Sequence, residues 1–141
     1  LLDGVARHLL EPPVNAMRLG LHPEGLAPRI VNFDEYSGHH LARLRRQVEA
    51  TGDSDLAALY EEVRRYPRVR TVPPSVAAAD GAHDIVVALR LRTDQDELCL
   101  FTLVATFGTA VDITLDDLVI ELLFPADDAT RTALFARSGL A

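Results

Sequence analysis

The stretch from Glu97 to Gly108, ELCLFTLVATFG, constrains this chain most. It carries one charge, contains no proline and reaches a glycine only at its end. In an extended chain successive side chains point to opposite faces, so Leu98, Leu100, Thr102, Val104 and Thr106 line one side. Cys99, Phe101, Leu103, Ala105 and Phe107 line the other. Neither set is polar, so both faces need cover, which is the position of a middle strand. A buried helix of the same length is the competing reading. The β-branched and aromatic residues, with a turn signal just upstream, favour the strand.

That turn signal is Thr93-Asp94-Gln95-Asp96. Before it, Asp84 to Arg92 alternates Ile85, Val87, Leu89 and Leu91 with Val86, Ala88, Arg90 and Arg92. The two segments therefore read as a hairpin. Setting Arg92 opposite Glu97 places Leu91 opposite Leu98 and Leu89 opposite Leu100, so the face carrying Leu89, Leu91, Leu98, Leu100 and Val104 is expected to look at helices. A third strand is expected from Leu118 to Phe124, stopped by Pro125, which has no amide hydrogen for a ladder.

The first half reads as helical. Leu1 to Leu10 has helical spacing, broken at Glu11-Pro12-Pro13. Val14 to Leu21 puts Val14, Met17, Leu21 and Leu10 on one side of a short helix, with His22-Pro23-Glu24-Gly25 ending it and Gly25 expected as a left-handed cap. Asn32 with Glu35 three residues on has capping-box spacing. The helix it opens is expected to run to about Ala50, with a stripe of Phe33, Tyr36, His40, Leu44 and Val48, and to stop at Thr51-Gly52. Asp53 opens another helix, with Leu56, Leu59, Tyr60 and Val63 in phase, which Tyr66-Pro67 closes. Arg68 to His83 reads as a mobile loop, and a last helix is capped by Asp127 and runs from Asp128 to about Arg137. The fold class is thus α+β: helices, three antiparallel strands, then a terminal helix.

At 141 residues the length suits one domain. The chain starts Leu-Leu without a methionine, which suggests a fragment. A formal charge of −7, with all 14 basic residues arginine, argues that this piece does not itself grip nucleic acid, a task that needs clustered positive charge. The single Cys99 has no internal disulfide partner, so a reducing, cytoplasmic location is the expectation. No apolar run approaches the ~20 residues that span a bilayer, so no membrane contact is expected.

No catalytic signature is visible: there is no HExxH, CxxC pair, GxSxG or glycine-rich phosphate loop. The expectation is no enzyme, no catalytic residue and no cofactor. His39-His40 beside Asp34 and Glu35 invites a metal reading, but adjacent helical side chains diverge by about 100°, so no metal is assigned. Arg43, Arg45 and Arg46 read as a solvated face, with a partner or an acidic ligand head as the alternative.

Two long stretches, MRLGLHPEGLAPRIVNFDEYSGHHLARLRRQ (Met17 to Gln47) and FGTAVDITLDDLVIELLFPAD (Phe107 to Asp127), carry a resemblance, as does ALRLRT (Ala88 to Thr93). The sequence resembles the ligand-binding domain of MmyB-like transcription regulators, a family common in actinobacteria. The resemblance implies a PAS-like fold whose first two strands would precede Leu1. It also implies an Xre-type helix-turn-helix domain upstream, and a pocket for a small apolar, fatty-acid-like ligand. DNA would be met only through that upstream domain. Tyr36 stands where the family usually has tryptophan, Ala110 where it has proline, and Leu122-Leu123-Phe124 where it has serine and two phenylalanines. His39 falls on the family's histidine position, whereas the apolar stripe favours an inward His40.

The function expected is the ligand-sensing domain of a bacterial regulator, working as a homodimer. Its ligand contacts are expected from Met17, Leu21, Tyr36, His39, His40, Arg43, Leu44, Leu100, Thr102 and Val104, with His39, His40 or Arg43 meeting a carboxylate. The competing expectation is a protein interaction module in which the same residues form a dry core and Phe101, Leu103, Phe107 and Val119 dock a partner. An unpaired Leu118 to Phe124 edge is expected to be covered by another chain or segment.

Overall fold

A computed structural model of the chain describes residues 2–70, 87–106 and 119–138. It divides into two compact units, Leu1–Val87 and Ala88–Ala141. The α+β order expected from the sequence is present: helices first, then a three-stranded antiparallel sheet, then a C-terminal helix. The loop expected between Arg68 and His83 falls mostly outside the described residues.

In the first unit the helix expected over Leu1 to Leu10 is reduced to a single 3-10 turn, Arg7–Leu9. Gly4 sits at φ +77°, which no α-helix accepts, and a helix of about ten residues has little stability of its own. The first α-helix, α1, is Ala16–Leu21, and its N-cap is Asn15, whose side chain accepts the Arg18 amide at 3.0 Å. Val14, expected on the inner side, precedes the helix and is 51% exposed.

The long helix α2 spans Phe33–Thr51 and ends at Gly52, whose φ of +65° and amide bond to Val48 O make a left-handed C-cap. The expected capping box does not form. Asn32 gives no side-chain cap bond, and its Nδ2 donates to Glu35 Oε2 at 3.1 Å instead. The buried residues of α2 are Phe33, Ser37, Leu41 and Leu44, so Phe33 and Leu44 of the expected stripe are in the core and Ser37 and Leu41 stand there in place of its other members. Tyr36, His40 and Val48 lie along its half-buried margin. Helix α3, Ser54–Val63, is capped as expected by Asp53, which accepts from the Asp55 and Leu56 amides at 2.7 and 3.1 Å. It packs on α2 and touches α1.

The second unit holds β1 (Leu89–Arg92), β2 (Glu97–Thr106), β3 (Val119–Pro125) and α4 (Asp128–Ser138). The strand order is β1-β2-β3, so β2 is the middle strand. The hairpin register is the expected one: Arg92 opposite Glu97, Leu91 opposite Leu98, Leu89 opposite Leu100. Leu89, Leu91, Leu98 and Leu100 are all buried, while Arg90 and Arg92 are exposed. Glu97 takes its ion pair diagonally, from Arg90 Nε at 2.7 Å.

Pro125 is the last residue of β3 and lies opposite Leu100. Beyond it the ladder is handed to the start of α4. Ala126 N donates to Cys99 O, and Cys99 N donates to the hydroxyl of fully buried Thr130, each at 2.8 Å. Asp127 caps the helix by accepting the Thr130 amide at 2.7 Å, a bond that holds its carboxyl below the ordinary range. Among the described residues no helix is long and apolar enough to cross a membrane.

Candidate functional site

The expected ligand contacts fall in both units. In the first, Leu21 and Leu44 are buried, at 1% and 3% exposure, and Met17, Tyr36, His39 and His40 are half-buried. Arg43 is exposed. In the second, Leu100 is 1% exposed and Thr102 is half-buried, and Val104 lies in β2 opposite Glu121. The Val104 side chain is outside those described.

Three of these residues form one aromatic group on α2. The Tyr36 and His40 rings lie 4.3 Å apart, and His39 meets His40 edge-on at 5.5 Å. The Tyr36 hydroxyl reaches α1, where a Cβ placed on buried Gly20 would lie 3.3 Å from it. Burial pushes the His40 imidazole down to about 4, and His39 and the Arg43 charge add to the effect. His40 is therefore neutral at physiological pH, with one N–H to donate and one nitrogen lone pair to accept.

The sign of the resulting pH effect is fixed. Between pH 6.5 and about 4, an unfolded chain takes up a proton on this imidazole that the folded chain refuses, so stability falls as pH falls through that window. The loss at its full extent is on the order of 3 kcal/mol. Denaturant melts of the wild type and His40→Gln at a series of pH values check this. The variant is expected to show a visibly flatter acid limb, and parallel limbs would contradict it.

A second group joins α1, α3 and the loop after α1. Arg18 Nε donates to both Glu62 oxygens at 2.9 and 3.1 Å, and Tyr66 OH donates to Glu62 Oε1 at 2.6 Å. The Arg18 bond holds the Glu62 carboxyl below its ordinary range, and burial, helped by Glu62, pushes the Tyr66 phenol up. His22 packs edge-on against Tyr66 at 5.0 Å, and His8 against His22 at 5.5 Å. His8, His22 and Glu24 bring one ligand atom each to within 4.8 Å of one another. His39-His40, the histidine pair that invites a metal reading in the sequence, is not part of this group. The spacing His22-x-Glu24 was visible, but His8 joins it only through the fold.

An open cleft of about 230 Å³ lies beside this group, lined by Leu21, Pro23, Ala27, Pro28, Pro67 and Arg68. Only Leu21 among the expected contacts reaches it. Arg68 forms one wall: Nη1 donates to Ala27 O at 2.6 Å and the guanidinium lies 4.4 Å from the centroid of the buried Phe33 ring. Much of the remaining wall is the HPEGLAPRI run. Gly25 within that run is not the left-handed cap expected, because its φ lies outside the positive region. It is glycine because a Cβ there would lie 2.3 Å from the Leu19 carbonyl oxygen.

Neither a curated protein nor a solved structure matches the chain. The family model of the MmyB-like transcription regulator ligand binding domain matches residues 1–136, and the chain therefore belongs to the family of MmyB-like transcription regulator ligand-binding domains.

Proposed function

We propose that this chain senses a small apolar molecule of the fatty-acid class and relays its arrival to a helix-turn-helix domain of the same regulator. The observation that carries the reading is the family match across residues 1–136. Supporting it is the chemistry of α2, where a neutral imidazole and a phenol stand together beside an arginine. The contacts proposed on the helices are Met17, Leu21, Tyr36, His39, His40, Arg43 and Leu44. A carboxylate head near His40 would restore the proton that burial removes, so binding is coupled to proton uptake. Binding regulates only if the ligand prefers one of two arrangements of the regulator.

The test is a titration of delipidated protein with a long-chain fatty acid and, separately, with the alcohol of the same chain length. The acid is expected to bind more tightly, and the Arg43→Ala, His39→Ala and His40→Gln variants are expected to lose that preference between them. Equal affinity for acid and alcohol in the wild type would remove the carboxylate contact from the account.

Self-association is the second reading, favoured by Leu122, Leu123, Phe124 and Phe135, which are 40%, 49%, 40% and 57% exposed. Apolar residues so placed on an edge strand and the following helix fit a homodimer contact in a cytoplasmic regulator. Sedimentation equilibrium is expected to give a dimer that Leu123→Glu converts to monomer. A monomeric wild type would end this reading.

A further inference from the structure

We propose that His8, His22 and Glu24 form a binding site for one divalent transition-metal ion of the zinc class. The ligand atoms of the three side chains lie within 4.8 Å of one another. Two ligands of a common tetrahedral zinc ion, each ~2.0–2.2 Å from it, stand about 3.3–3.6 Å apart. The remaining gap is a matter of small side-chain rotations, and His8 and Glu24 are exposed and able to make them.

The backbone under the three residues is already fixed. Ala6 N donates to Glu24 O at 2.9 Å, which ties the segment before the 3-10 turn to the loop after α1. His22 N bonds Arg18 O and Gly25 N bonds His22 O, each at 2.9 Å. The His22 ring is braced edge-on by Tyr66, whose hydroxyl is held by Glu62, itself held by Arg18. Such outer contacts orient a metal-binding imidazole. The neighbouring cations face other carboxylates, Arg7 facing Glu11 and Arg18 facing Glu62.

The donor set decides the metal class. Two imidazoles and one carboxylate suit zinc and its neighbours in the first transition row, whereas magnesium and calcium prefer oxygen alone. Three protein ligands leave one position of a tetrahedral ion open. Loading also has a local signature. Glu24 N donates to His22 Nδ1 at 3.1 Å, so the neutral ring carries its proton on Nε2 and the lone pair offered to a metal is on Nδ1. Binding therefore releases the Glu24 amide.

The experiment uses the tag-free chain and zinc chloride, with magnesium chloride as control, followed by calorimetry and by the amide spectrum. One zinc per chain is expected, with no heat from magnesium, and with the Glu24 amide resonance among those that shift most. His8→Ala and Glu24→Gln change exposed side chains, so they are expected to fold and to weaken zinc by about tenfold or more. Asp94→Asn, at an exposed carboxylate in the turn between β1 and β2, is expected to leave zinc binding unchanged. Absence of zinc binding, binding that survives both His8→Ala and Glu24→Gln, or binding lost with Asp94→Asn would each overturn the site.

Discussion

Gly25→Ala is expected to destabilise the helical unit by at least about 3 kcal/mol, a fall in melting temperature of roughly 10 °C for a chain of this size. The reason is space. An added Cβ would lie 2.3 Å from Leu19 O, 3.2 Å from its carbonyl carbon and 3.3 Å from His22 O. All three are backbone atoms that no side-chain rotation moves. The Leu19 carbonyl is also committed, since it accepts the Leu26 amide at 2.9 Å. Gly52 supplies the comparison: it sits at φ +65° with nothing within 4 Å of an added Cβ. Gly52→Ala should therefore cost only the left-handed penalty, ~1–2 kcal/mol. Thermal or urea melts of the two variants distinguish the causes, and equal losses would mean that close approach at Gly25 is not what selects glycine.

Phe33→Ala is expected to lose more still, about 3–5 kcal/mol. Phe33 is 1% exposed at the start of α2, and the Arg68 guanidinium rests 4.4 Å from its ring centroid while bonding Ala27 O. Removing the ring leaves a cavity and strips Arg68 of its platform, so the wall of the cleft made by Ala27, Pro28 and Arg68 loosens with it. Arg68→Ala removes a cation–π contact and one hydrogen bond at an exposed residue, and should cost only about 1–2 kcal/mol. Urea unfolding measures both. A Phe33→Ala loss no larger than that of Arg68→Ala would contradict the packing described.

The sheet was the most legible part of the sequence, for a definite reason. Strand side chains repeat every two residues, so one charged pair, Arg92 and Glu97, fixed the register of every other pair in the hairpin. Helices offer a looser guide. On α2 hydrophobicity pointed to Tyr36 and His40, yet the deepest positions are Phe33, Ser37, Leu41 and Leu44. Ser37 is tolerated there with its hydroxyl turned back toward Asp34 O at 3.4 Å.

Local signals failed where a contact other than the one the pattern implies took over. Asn32 found the Glu35 side chain instead of a backbone amide, and Gly25 is dictated by a carbonyl six residues earlier in the chain. The His8, His22 and Glu24 group belongs to the same class. No periodicity links residue 8 to residue 22, and the bond between Ala6 and Glu24 that joins their segments is invisible until the chain is folded. By contrast the family was legible in the LHPEGLAPRI run, and part of that run turns out to wall the cleft beside α1.

The most direct measurement is mass spectrometry of what the purified chain carries, before and after organic extraction. The account predicts a long-chain acid near one per chain, released on extraction and able to raise the melting temperature when returned. A chain that carries no lipid, and whose melting temperature ignores added fatty acids, would contradict it.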